Sequence, residues 1–91
     1  MKLVSGRIYR CLPYLTSQTF PTLELTGAAT IYVSLSQKEP TSIADMTDVT
    51  SEVSVGFNTL HGQIRYICAV FGEGSAVNEC GIVTSADYRG V

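Results

Sequence analysis

An all-β, single-domain antiparallel β-sandwich of jelly-roll or immunoglobulin-like type is the fold this sequence predicts, and three observations predict it. Apolar and polar residues alternate in short runs, the signature of strands with one wet face. Turn signals at Gly27, Lys38-Glu39-Pro40, Asn58 to Gly62 and Gly72 to Ser75 recur at the roughly 8–12-residue spacing of sandwiches and barrels. At most one short helical turn, near residues 40–46, interrupts the strand pattern.

In chain order, Arg7 to Leu12 and Leu23 to Thr26 read as two strands, broken by Pro13 and Pro21, which cannot donate to a ladder. From Ala28 to Leu35 the residues Ile31, Val33 and Leu35 share one face, and Thr30, Tyr32 and Ser34 the other. Pro40 at a first-turn position, followed by Ile43 and Met46 three apart, predicts one or two helical turns whose apolar pair plugs one end of the sandwich. Val49 to Phe57 alternates most regularly, which predicts a strand with Val55 in the core and Glu52 in solvent. Ile64 to Phe71 is apolar on both faces apart from Arg65 and reads as a central strand. Gly72-Glu73-Gly74-Ser75 then turns the chain into a partner strand from Ala76 to Thr84, in a register with Cys68 facing Cys80 and Tyr66 facing Ile82. The predicted core is Ile31, Val33, Val53, Val55, Ile64, Tyr66 and Ile82. Residues 85–91 show too little periodicity for another element and read as a C-terminal arm.

The 91 residues, 45% hydrophobic and 15% charged, give room for one domain spanning residues 1–91. Nothing approaches the ~20 consecutive apolar residues of a membrane-spanning helix, and Lys2 and Arg7 leave no signal-peptide apolar run between them. The chain reads as an unprocessed, soluble product made in a cytoplasm. A net charge of −2 with no basic run gives no electrostatic footprint for nucleic acid.

Chemistry-bearing residues are few. Cys11, Cys68 and Cys80 are odd in number and lack the short-spaced pairs of a zinc site. They read as small buried hydrophobes, with proximity but no bond between Cys68 and Cys80. His61, the one histidine, falls in a predicted loop with no signal bringing a serine and an acid to it. Gly74-Ser75-Ala76 lacks the glycine frame of a nucleophile elbow, and Gly72-Glu73-Gly74-Ser75 lacks the lysine of a phosphate loop. Asp45, Asp48 and Glu52 miss the spacing of a calcium loop and read as a solvated acidic edge. No catalytic, cofactor-binding or metal-ligating residue is therefore assigned, and the chain reads as a non-enzyme without a cofactor. Tyr32 on a wet face, with Tyr88 and Arg89 in the arm, are residue types enriched at interfaces. They are the candidate interface, with the arm lying on a neighbouring subunit.

Thr30-Ile31-Tyr32-Val33-Ser34, Pro40-Thr41-Ser42 with Met46, Ile64-Arg65-Tyr66-Ile67 and Glu79-Cys80-Gly81-Ile82-Val83 carry a resemblance. Over residues 28–83 the chain resembles small β-sandwich structural proteins of tailed-bacteriophage virions, such as head-decoration, head-fibre and tail accessory subunits. The likeness is one of pattern rather than a diagnostic motif. It implies a non-enzymatic virion subunit that acts through homo-oligomerisation and docking on a capsid or tail, without a membrane partner. The Arg65-Tyr66-Ile67 strand is also similar to the penultimate strand of galactose-binding-type jelly rolls, so the alternative is a carbohydrate-binding module.

Overall fold

A computed structural model describes residues 2–11, 22–36, 38–60, 62, 64–80 and 83–90, the last segment as backbone. It is an antiparallel β-sandwich. The described residues form eight strands, β1 (Arg7–Cys11), β2 (Thr22–Thr26), β3 (Thr30–Ser34), β4 (Thr47–Asp48), β5 (Gly56–Thr59), β6 (Tyr66–Val70), β7 (Ala76–Cys80) and β8 (Val83–Gly90), and two 3-10 turns, Ile43–Asp45 and Thr50–Glu52. They form a five-stranded sheet of order β4-β3-β6-β1-β8 and a three-stranded sheet of order β5-β2-β7. The pairs β1–β8, β2–β7 and β3–β6 are nested and alternate between the sheets, wrapping the chain in the manner of a jelly roll.

The main core fills the space between the sheets. Tyr9, Cys11, Ile31, Val33, Ile67 and Ala69 enter from the large sheet and Leu23, Leu25, Val77 and Cys80 from the small one, with Leu3, Leu60 and Ile64 closing the margins. A second cluster lies on the outer face of the large sheet. There the register puts Ile8 and Tyr32 on either side of Cys68, and Ile8, Tyr66 and Cys68 are buried with Tyr32, Ile43, Met46 and Val70 against them. β6 is thus apolar on both faces because both faces are covered. The helical turn forms as expected, with the Ser42 hydroxyl accepting from the Ala44 amide. Its apolar pair, however, covers this outer face rather than one end of the sandwich.

Residues 2–6 strap the two sheets together. The Leu3 amide donates to the Val77 carbonyl of the small sheet at 3.2 Å, and the Gly6 amide to the Ala69 carbonyl of the large one at 2.8 Å. The Val4 amide donates to the Tyr9 hydroxyl at 2.9 Å, giving that buried phenol a polar partner.

Four sequence expectations are corrected. The strand expected over 49–57 is interrupted: Val49 still bonds to Ile31, but Thr50-Ser51-Glu52 coils into a 3-10 turn whose first amide is held by Asp48 Oδ1 at 2.8 Å. Three consecutive polar residues with a capping aspartate favour that turn over a ladder. Val53 still packs against the core, whereas Val55 is 68% exposed. The expected hairpin is absent because β1 and β3 occupy both edges of β6, so β7 crosses to the small sheet and pairs with β2. Cys68 consequently lies in the outer cluster and Cys80 in the main core, so they do not face each other, and Tyr66 belongs to the outer cluster. Residues 85–91, expected as an arm lying on a neighbouring subunit, belong through Gly90 to β8, an edge strand on β1 of the same chain. Backbone pairing to an uncovered edge needs no apolar periodicity, which is why the pattern gave no warning. Pro13, Tyr14, Pro21, His61, Ile82 and Val91 lie outside the described residues.

Candidate functional site

The three residues nominated as an interface do not form one site. Tyr32 sits on β3, half-buried against the outer cluster, with its backbone paired to Cys68 on one side and Asp48 on the other. Tyr88 and Arg89 lie on β8, in register with Tyr9 and Ile8. Since β6 and β1 stand between β3 and β8, three inter-strand steps of about 4.8 Å separate the two places.

The outer face of the small sheet is a different surface. Phe57 is 79% exposed and lies directly opposite Glu24, which is in turn opposite Glu79 on the other side. Val55, two residues before Phe57, is exposed beside it. Gly56, at φ +104, brings the chain into β5 in a conformation that a side chain would resist. Asn58 then fixes the entry loop: its amide nitrogen donates to the Ser54 and Gly56 carbonyls at 2.7 and 3.0 Å, and its oxygen accepts from the Ser54 amide at 2.9 Å. The result is an aromatic ring held in solvent by a tied loop, next to a carboxylate.

A concavity of about 360 Å³ lies where the β3–β4 connection leaves the large sheet, and is lined by Ser34, Ser36, Lys38, Glu39, Pro40, Thr41 and Asp45. The Thr41 amide and hydroxyl donate to Asp45 Oδ2 at 3.1 and 2.9 Å and hold its carboxyl below the usual carboxylate range. Among the described residues no aromatic side chain lines this groove.

The thiols are buried. Desolvation pushes Cys11 and Cys80 up to about 12 and Cys68 up to about 11, with the neighbouring Cys80 adding to the effect on Cys11. Such groups stay protonated and are poor nucleophiles at neutral pH. Among the described residues, no three His, Cys, Asp or Glu side chains gather closely enough to hold a metal ion.

No family model, curated protein or solved structure matches this chain. The residue that sequence reasoning missed is Phe57, which alternation placed on the same face as Val53 and Val55 within one continuous strand. The available signal was the polar run Thr50-Ser51-Glu52 followed by Gly56, which breaks that strand before Phe57 is reached.

Proposed function

We propose that this chain is a non-enzymatic structural subunit of a bacteriophage virion, working through its surfaces by self-association and by docking on a larger capsid or tail. The observation that carries the surface-acting part is Phe57, 79% exposed, with Val55 beside it on a rim whose backbone is tied by Asn58. A large apolar side chain held rigidly in water is costly for an isolated domain and useful at an interface. The three cysteines are buried and stay protonated at neutral pH, which makes them poor nucleophiles. The virion assignment draws its support from the resemblance of residues 28–83.

Quantitative mass spectrometry of particles purified from cells that produce the chain tests this reading. A fixed copy number per particle is the expected result, and its absence from particles overturns the assignment. The carbohydrate-binding alternative would now depend on Phe57 as the stacking ring in place of half-buried Tyr32. Sugar binding that is lost in Phe57→Ala would favour it.

A further inference from the structure

The concavity beyond β3 includes two buried residues, Ser34 and Pro40. Among the described residues Ser34, 7% exposed, is the one buried polar side chain. Its Oγ accepts from the Ser36 amide at 3.3 Å, and its own proton has no acceptor among the described residues. A buried donor without a partner is costly and uncommon. Ser36 repeats the arrangement, its Oγ accepting from the Lys38 amide at 3.1 Å. With a lone pair tied to the backbone, each hydroxyl keeps its proton to donate, and both side chains line the concavity. The returning side of the loop supplies the opposite chemistry. Asp45 Oδ2 accepts from the Thr41 amide and hydroxyl, which holds the carboxylate in place and ionised. Acceptor capacity remains, because a carboxylate offers about four lone-pair positions. Lys38 lines the same space and its charge acts on Asp45 across it; Glu39 lines it too and has a partner of its own.

We propose that this concavity binds a small zwitterion, an unbranched amino acid in the simplest case, with its carboxylate on Lys38 and the hydroxyls of Ser34 and Ser36 and its ammonium on Asp45. The proposal stands apart from the virion reading and does not depend on it. Charge decides the class of ligand. A plain anion meets Asp45 and Glu39 as well as Lys38, and a plain cation meets Lys38 and leaves the Ser34 proton without an acceptor. A neutral polyol can accept from the serines, but it displaces water from Lys38 and Asp45 without bringing a counter-charge to either. A zwitterion accepts where the site donates and donates where the site accepts, and hydrogen bonds to ionised groups are roughly twice as strong as neutral ones. Size agrees: about 360 Å³ is near the lower end of the roughly 300–1,000 Å³ of small-molecule sites, which suits a ligand of a few heavy atoms.

The test is a titration of the isotope-labelled full chain, followed by its backbone amide resonances, with glycine, β-alanine, γ-aminobutyrate and ε-aminocaproate as probes that differ in the distance between their charges. The expected result is saturable shifts at the Ser36, Lys38 and Asp45 amides with at least one probe. The matching acid without the ammonium, and the matching amine without the carboxylate, should each bind roughly tenfold or more weakly. Lys38→Met should erase the advantage of the zwitterion over the amine, and Asp45→Asn its advantage over the acid. Ser34→Ala should weaken the zwitterion and the acid together and leave the amine unchanged. Far-UV circular dichroism of each variant checks that it folds. The proposal is overturned if no probe saturates below about 10 mM, or if the acid or the amine binds as tightly as the zwitterion. It is equally overturned if the variants leave the preference unchanged, or if glycerol or glucose shifts the same amides at lower concentration than every amino acid.

Discussion

The Ser5 hydroxyl donates to the Phe71 carbonyl and accepts from the Phe71 amide, each at 2.9 Å. One small side chain thereby satisfies both backbone groups of the residue at which the chain leaves the large sheet for the small one.

Ser5→Ala should therefore lower stability by about 1–2 kcal/mol, because both Phe71 groups lose their partner in a partly buried setting. For a chain of this size that is a fall in thermal midpoint of about 4–16 °C. Faster hydrogen exchange at the Phe71 amide is the local check. An unchanged midpoint would mean that water replaces the hydroxyl at no cost.

At Gly27 the backbone has φ +73, and an added Cβ would sit 3.1 Å from Ser75 Cβ and 3.2 Å from the Gly74 carbonyl oxygen. Gly27→Ala combines a left-handed strain of about 1–2 kcal/mol with crowding against the β6–β7 turn. Urea unfolding should show a loss at least that large. Ser75→Gly in the same background should recover only part of it, because the Gly74 carbonyl remains in the way.

Two valines on opposite sides of the solvent boundary give a clean contrast. Val33 is 5% exposed in the main core, whereas Val55 is 68% exposed. Val33→Asp buries a carboxylate and should cost several kcal/mol, enough to unfold the chain; Val55→Asp should shift stability by no more than about 0.5 kcal/mol. Equal thermal midpoints for the two variants would contradict the placement of β5.

Burial raises all three thiol pKa values above their ordinary 9.0, toward about 11 for Cys68 and about 12 for Cys11 and Cys80. A group whose folded pKa is raised contributes stability that is complete below its unfolded pKa and lost as pH climbs toward its folded one. Stability should thus start to fall above pH 9, with a limiting slope of about 1.4 kcal/mol per pH unit for each thiol. Urea midpoints measured between pH 8 and 10.5 check the sign. At pH 8 a thiol reagent should leave the folded chain untouched and modify the thiols after denaturation.

The sandwich class, the apolar two-faced character of β6 and the approximate positions of β1, β2 and β3 were legible in the sequence because each follows from local alternation. Which strands pair was not. Glycine-rich residues 72–75 do make a turn, with the Ser75 amide bonded to the Gly72 carbonyl, but a turn fixes only the reversal of the chain. Whether the returning strand joins the same sheet depends on whether an edge is free, and that was decided by β1, sixty residues away. Phe57 escaped detection for a related reason: alternation identifies a face, and only the partner sheet makes that face a core. Alternation placed Tyr32 on the face away from the main core, but that face is not wet: Ile43 and Met46 pack with Tyr32 against the cluster of Ile8, Tyr66 and Cys68.

Of the six strand pairings among the described residues, only β3 with β4 joins sequence neighbours. A chain wrapped in this way has no long hairpin that could form early and template the rest, since loop closure must come before most ladders can reward it. Refolding on the slow side of the millisecond-to-second range follows from that connectivity. During synthesis, β1 would leave the ribosome with neither of its partners yet made. Its exposed apolar edge would stay open until β6 and then β8 arrive, making that interval the point at which a folding assistant or a wrongly paired neighbour would intervene.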